Sequence, residues 1–319
     1  FDHFIEMREE SDEEIARKVR ELQIDIAVDI SGPVADQREG VFALRCAPIQ
    51  ANLFGWTSGA RYMDYIIADS VVLPPGFESN FSEKVARVPC SYFALDNKRT
   101  ISDSIPTRSA SGLPDYGFVF CAFNNSFKIT PANFDMWMRF LHRVPNSVLW
   151  LRENNSSMAE TLGIEAQKRG IAESRIVFAP RMPSMADHLA RYCLADLFLD
   201  NFPFGAHTTA SDALWAGLPM VTCMGEAITS RIGASLLHAI EMPELVTRTP
   251  GEYEAKVIEL ASNPSMLAGI RRKLQNNRLR TALFDTQRQT RHLNAVFEAM
   301  HSRYQAGLQP DHIQIDSMI

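Results

Sequence analysis

The chain is short of cysteine, and none of what it has sits at a metal-ligand or redox spacing. Five residues, Cys46, Cys90, Cys121, Cys193 and Cys223, are scattered over 319 positions. Neither a zinc site nor a disulfide framework is expected; buried free thiols in a reducing, cytoplasmic setting are. An excess of basic charge is missing too. Lys and Arg number 32 against 38 Asp and Glu, a net charge of −6, so phosphate neutralisation gives no support to a nucleic-acid role. No run is long and apolar enough to cross a membrane, and no secretory leader is evident. What is there, 46% hydrophobic and 22% charged residues, is the composition of a globular protein with room for two domains. The chain opens at Phe1, and acidic helix-like sequence follows at once, which suggests a fragment of a longer protein.

One stretch organises the rest. The apolar run Ala195 to Leu199 reads as a buried strand ending in Asp200. A loop holding Pro203 and Gly205 follows, and Thr208 and Thr209 open a short helix that Gly217 and Pro219 stop before the next strand, Met220 to Cys223. A helix N-terminus inside such a βαβ unit presents unpaired N–H groups and the positive end of the helix dipole, which favour a phosphate. Threonine here is also an ordinary N-cap. His207 before the pair and Asp212 after it are more than a cap requires, and a diphosphate beside a histidine is the sharper reading.

Around that unit the chain alternates. Before it come strands over 118–123, 147–151 and 175–178, helices over 131–143 and 158–169, and a helix carrying His188 and Arg191; Gly225-Glu226 and a helix with Ser230 and Arg231 follow it. This is one complete doubly wound α/β lobe. Earlier, a helix over 12–22 and strands over 24–30, 47–53 and 65–69 read as part of another such lobe, incomplete at its start. The polar segment Ile101 to Ser111 suggests the boundary, giving lobes over 1–105 and 106–283 and a terminal crossover helix and tail over 284–319, with Phe297 and Met300 facing the first lobe.

The candidate polar groups follow the C-terminal ends of strands, the edge at which open parallel sheets bind ligands. Asn125 and Lys128 follow the first strand of the second lobe, and Arg181 to His188 the third. Asp200 to Asp212 follow the fourth, and Gly225-Glu226 the fifth. Each has a plainer reading: Lys128 as a solvated charge, His188 and Arg191 as a solvated helix stripe, His207 as a structural histidine, the Gly55 to Gly59 turn as a turn. Their convergence on one edge is stronger than any of them alone.

Taken together, Leu194-Ala-Asp196, His207-Thr-Thr209, Asp212-Ala-Leu-Trp-Ala-Gly-Leu-Pro-Met-Val-Thr222, Ser230-Arg-Ile-Gly-Ala-Ser235 and Val144-Pro-Asn-Ser-Val-Leu-Trp-Leu151 resemble the O-linked N-acetylglucosamine transferases. Phe123-Asn-Asn125 with Phe127-Lys-Ile129, and Ala43-Leu-Arg-Cys-Ala-Pro-Ile-Gln50, add to the pattern. The bacterial members carrying tetratricopeptide repeats are the most alike, and the likeness runs from about Ile24 to His312. It implies a GT-B fold of two Rossmann-like lobes. His207, Thr208 and Thr209 would hold the diphosphate of a UDP-sugar, and Lys128 would neutralise the departing UDP as the catalytic cation. His188 and Arg191 would address the uracil with backbone near Met182, Asp212 the ribose, and Asn125 and Gly55 the remainder of the donor. Asn125 stands where animal enzymes carry glutamine, and Met185 where they carry lysine. The turn at Gly55 is shorter than the family's Gly-Tyr-Pro-Gly-Thr stretch.

The resemblance implies inverting transfer of N-acetylglucosamine from UDP-GlcNAc to Ser or Thr of a protein or peptide acceptor. No metal cofactor is expected, and there is no Asp-x-Asp among these loops. Neither a nucleic-acid nor a membrane partner is expected, and tetratricopeptide repeats are expected upstream in the parent protein. Three other readings stay open: a GDP-fucose-using Spindly-like protein O-fucosyltransferase, a UDP-sugar epimerase on the same fold, and a non-catalytic nucleotide-sugar-binding module.

Overall fold

In the computed structural model, residues 2–32, 37–53, 59–93 and 95–316 are described. The chain divides into two compact units, Phe1–Ala94 with Thr286–Ile319, and Leu95–Asp285.

The first unit begins with helix α1 (Asp12–Glu21), started by a capping box in which Ser11 Oγ accepts the Glu14 N–H and Glu14 accepts the Ser11 N–H. Strand β1 (Ile26–Asp29), the short helix α2 (Glu39–Ala43), and strands β2 (Ile49–Asn52), β3 (Tyr65–Asp69) and β4 (Lys84–Val88) follow. The strands lie in sheet order β1-β2-β3-β4, all parallel, and the chain's last strand (Ile313–Gln314) adds to β4. His312 fixes that register, its Nδ1 accepting the Val85 N–H at 3.0 Å. Two strands beyond the three read from the sequence are therefore present. The chain's last helix (Thr286–Gln305) buries Gln289, His292, Val296 and Met300. Their spacing of three to four residues is one helix face, so the inward residue beside Met300 is Val296, while the expected Phe297 is only half-buried.

The second unit comprises, in chain order, β5 (Val119–Ala122), α3 (Pro131–Arg143), β6 (Val148–Arg152), α4 (Ser156–Lys168), β7 (Ile176–Ala179), α5 (Met185–Ala190), β8 (Leu197–Leu199), α6 (Thr208–Trp215), β9 (Met220–Cys223), α7 (Ile232–Ala239), β10 (Val246–Thr247), α8 (Pro250–Ser262) and α9 (Pro264–Asn277). The helices start where sequence chemistry places them. Thr130 caps α3 ahead of Pro131, and Asn155, Ser184 and Thr249 cap α4, α5 and α8.

Its six strands are all parallel, in the order β10-β9-β8-β5-β6-β7. In chain order from β5 this is the 3-2-1-4-5-6 arrangement of the Rossmann fold, and the direction of winding reverses between β5 and β8. Strands this deep read as short apolar runs because both faces are covered. Val119 to Ala122 and Leu197 to Leu199 are at most 1% exposed. Phe120, Phe140, Trp150, Tyr192, Phe198 and Tyr253 fill the core around them, with Phe123 and Trp150 edge-to-face at 4.8 Å.

The polar segment 101–111 lies inside this second unit, not at its border. The Ser102 N–H donates to Ala186 O, and Arg108 donates to Gly117 O and Leu194 O and pairs with Asp196. Asp196 also accepts the Val119 N–H at the start of β5, so the segment is anchored by groups its own sequence does not reveal.

Gly117, at the entry to β5, has φ +111°, and a Cβ there would lie 1.9 Å from the Asn146 carbonyl oxygen. Gly117→Ala combines backbone strain with a backbone clash and should cost at least about 1–3 kcal/mol in urea unfolding. An unchanged unfolding midpoint would contradict the packing described.

Candidate functional site

The reversal between β5 and β8 leaves their two following loops facing each other, and side chains bridge them. Asn124, 3% exposed, donates from Nδ2 to Asn201 Oδ1 and accepts at Oδ1 from the Thr209 hydroxyl. Asn201 Nδ2 donates to Lys128 O at 3.1 Å, and Asn133 at the start of α3 donates to Phe202 O at 2.8 Å. One network thus spans the loop after β5, the loop after β8 and the first turn of α6.

Lys128, in a 3₁₀ turn over Ser126–Lys128, reaches across to the loop after β8. Its Nζ donates to Gly205 O at 2.7 Å and lies 4.2 Å from the centroid of the Phe204 ring. Burial lowers its pKa to about 8, against the opposing pull of Asp200. His207 stacks on Phe204, ring centroids 5.8 Å apart and planes within 10°. Burial first, and the Lys128 charge second, push His207 down to about 3, so near neutral pH its ring is uncharged.

His207 occupies the position before α6 with φ −108° and ψ −96°, and no side-chain cap is made. The threonine N-cap is thus not formed. Thr208 is instead the first helical residue and is exposed, while Thr209 is half-buried and bonded to Asn124. The first N–H groups of α6 have no partner within the helix, and they follow directly on the loop whose Gly205 O accepts from the Lys128 ammonium.

A second network lies beside the first. Arg191 is 3% exposed, its guanidinium 4.4 Å from the centroid of the Phe123 ring. It donates to Pro180 O at 2.7 Å and contacts His188 Nδ1 at 2.7 Å. With Nδ1 accepting from a guanidinium, the His188 proton belongs on Nε2, which faces Asp212 Oδ2 at 4.0 Å. Burial, then the charges of Arg191 and Arg152, bring His188 to about 4. His188 and Arg191 therefore form no solvated stripe; they hold each other.

Asp212, expected at a ribose, has its carboxylate in a close ion pair with Arg99. Arg99 lies 5.7 Å over the Trp215 ring and its carbonyl accepts the Trp215 indole N–H at 3.1 Å. Sequence reasoning did not find Arg99, which stands 113 residues from its partner, nor Asn124, next to the Asn125 it singled out. Asn125 itself is exposed and accepts from Arg152 at 2.8 Å. Met182 lies half-buried in the loop before α5, and Met185 is exposed. Gly55 lies outside the described residues. Cys46, Cys121 and Cys223 are buried free thiols, but Cys193 is exposed, because the 3₁₀ turn after α5 turns it outward while burying Tyr192. Among the described residues no group of three or more His, Cys, Asp or Glu could hold a metal, and no helix is long and apolar enough to cross a membrane.

Two parallel α/β units, the second with the Rossmann strand order, are the architecture of the GT-B fold. The Glycosyl transferase family 41 profile matches residues 1–104 and 97–293, and the chain belongs to that family. It is 33% identical, over 98% of its length, to the "Probable UDP-N-acetylglucosamine--peptide N-acetylglucosaminyltransferase SEC" of Arabidopsis thaliana, covering 33% of that protein. With the tomato (Solanum lycopersicum) protein named "Probable UDP-N-acetylglucosamine--peptide N-acetylglucosaminyltransferase SPINDLY" it shares 31% identity over 92% of its length and 32% of the relative. The chain thus spans about a third of the length of these curated relatives. A solved mutant O-GlcNAc transferase from Thermobaculum terrenum superposes with a TM-score of 0.84 at 30% identity, over 93% of this chain and 57% of that one.

Arg99→Met would leave Asp212 as a buried carboxylate without its cation, at a cost of about 3–5 kcal/mol near neutral pH. Burial already holds Asp212 above the usual carboxylate range, with Arg99 opposing. The folded state of the variant therefore takes up a proton more readily than the unfolded chain, and the loss should shrink as pH falls through that raised value. Urea unfolding at neutral and mildly acidic pH reads this; a loss independent of pH would contradict the pairing.

Proposed function

We propose that this chain is the donor-binding and catalytic part of an inverting glycosyltransferase that moves N-acetylglucosamine from UDP-GlcNAc to Ser or Thr of proteins. The observation that carries the reading is the convergence of the Lys128 ammonium, neutral His207 and the Thr208-Thr209 start of α6 on the β5/β8 crevice. Oriented N–H groups and a half-buried cation suit a diphosphate whose charge grows as the glycosidic bond breaks. In the proposed reaction an acceptor hydroxyl attacks the anomeric carbon in line and UDP departs. Lys128 and the α6 N-terminus stabilise the charge developing on the leaving oxygen, and His207 hydrogen-bonds the diphosphate. The His188–Arg191 pair, with backbone near Met182, addresses the base, and Asp212 contributes through the Arg99-braced network at the ribose end. A protein acceptor and a cytoplasmic setting belong to the same proposal. The first rests on relatives named for peptide acceptors, the second on five free cysteines.

The second reading, a GDP-fucose donor on the same architecture, rests on the resemblance to the Spindly proteins alone, since the SPINDLY-named relative is itself named for UDP-N-acetylglucosamine. Nucleotide release from each donor, with and without a peptide acceptor, separates the readings. Acceptor-dependent release from UDP-GlcNAc alone is expected, whereas conversion of the UDP-sugar to its epimer without acceptor and without net nucleotide release would indicate an epimerase.

Lys128→Ala should lower kcat by about 10²–10³-fold, in line with the loss of an electrostatic stabiliser, and weaken UDP binding far less. Because Lys128 loses its proton near pH 8 in the free protein, kcat/KM should fall as pH rises through that value, and Lys128→Arg should move this alkaline limb upward. Equal losses of turnover and UDP affinity in the alanine variant would contradict the role.

A further inference from the structure

Asp200 closes β8 and is 1% exposed. Its Oδ1 accepts the N–H groups of Asn201 at 2.8 Å and Ala206 at 2.6 Å, the two ends of one loop. Its Oδ2 accepts the Thr222 hydroxyl of β9 at 2.6 Å. The Asp200 carbonyl accepts the Tyr253 hydroxyl at 3.0 Å, and the Gly205 N–H donates to Thr229 O. Helix α7 comes close beside the carboxylate: a Cβ on Gly233 would stand 2.5 Å from Asp200 Oδ2. The loop held in this way carries both Phe204, whose ring Lys128 overlies, and Gly205 O, to which Lys128 donates.

We propose that Asp200 is a positioning residue acting through Lys128, its buried carboxylate clamping the 201–206 loop that meets the Lys128 ammonium and placing a negative charge behind that loop. The inference rests on the reading of Lys128 given above. The other titratable groups around the pair carry no charge near neutral pH. His207 is held neutral by burial, and burial raises both Tyr253, whose hydroxyl bonds the Asp200 carbonyl from α8, and Cys223 at the end of β9. A lone buried carboxylate is expensive, and Asp200 itself is raised to about 6 by burial against its three hydrogen bonds and Lys128. The attraction is mutual: Asp200 supports the charge on Lys128 against desolvation. The device keeps a cation at the crevice without exposing a carboxylate to an incoming diphosphate.

The test follows Lys128 directly in the full chain without ligand, by ¹³C NMR of reductively methylated lysines, with the signal assigned by its loss in Lys128→Arg. Asp200→Asn can keep all three hydrogen bonds, since Thr222 Oγ can accept from the amide, and removes only the charge. The Lys128 midpoint should then move down, by on the order of one unit. Thr222→Val, which removes a hydrogen bond and keeps the charge, should lower stability and leave that midpoint in place. In the unsubstituted chain the same signal should show a second, smaller inflection near pH 6 as Asp200 protonates, so the test stands even if Asp200→Asn does not fold. A folded Asp200→Asn chain with an unmoved midpoint, an equal shift in Thr222→Val, or no inflection near 6 would overturn the inference. Failure of the underlying reading shows elsewhere, as unchanged turnover in Lys128→Ala.

Discussion

The structure turns on the reversal of winding between β5 and β8. Two neighbouring parallel strands send their chains off in opposite directions, so the space beyond their ends cannot be filled by a crossover helix. The backbone groups there need other partners. Asn124 and Asn201 meet that need across the gap, and Thr209 and the Lys128 carbonyl join them. Removing Asn124 would strand the Asn201 amide oxygen and the Thr209 hydroxyl, on the loop after β8 and on α6, which is why a small amide has no ready apolar replacement here.

The charges around this crevice are arranged by depth. Asp200 and Asp212 are both buried, the first held by three hydrogen bonds to its carboxylate and the second paired with Arg99. The two histidines are uncharged, one stacked on Phe204 and one bonded to Arg191. What the crevice offers an anion is therefore a cation, neutral hydrogen-bonding groups and a helix N-terminus, with the negative charge withdrawn behind them.

Much of the second unit was legible in the sequence because its strands are buried on both faces and its helices carry explicit caps. Phe118 to Phe123 and Leu197 to Leu199 are uninterrupted apolar runs, and Thr130-Pro131 and Gly170 mark a helix start and stop. Strand β4 escaped notice because Lys84 and Arg87 break its pattern. Arg87 is nevertheless buried, paired with Glu78, a contact local sequence does not announce. Helices α8 and α9 also went unread. At the site, the residues flanking strand ends were found, but not the contacts that fix them. Nothing in Asn124-Asn125 says which amide turns inward, and nothing in the polar stretch near Arg99 points to Asp212. Those assignments come from strand order and long-range pairing, which periodicity does not encode. Family resemblance reached the residue types of the site without reaching the Asp200 clamp or the Arg99 brace.

The central claim is that the β5/β8 crevice of the second unit holds a uridine diphosphate. Calorimetric titration of the chain with UDP and, in parallel, GDP, each repeated on His207→Ala, tests it most directly. The account predicts UDP binding in preference to GDP, weakened about tenfold or more in the variant by loss of a hydrogen bond to a charged group. A folded chain that binds neither nucleotide, or a His207→Ala chain that binds UDP as well as the original, would contradict it.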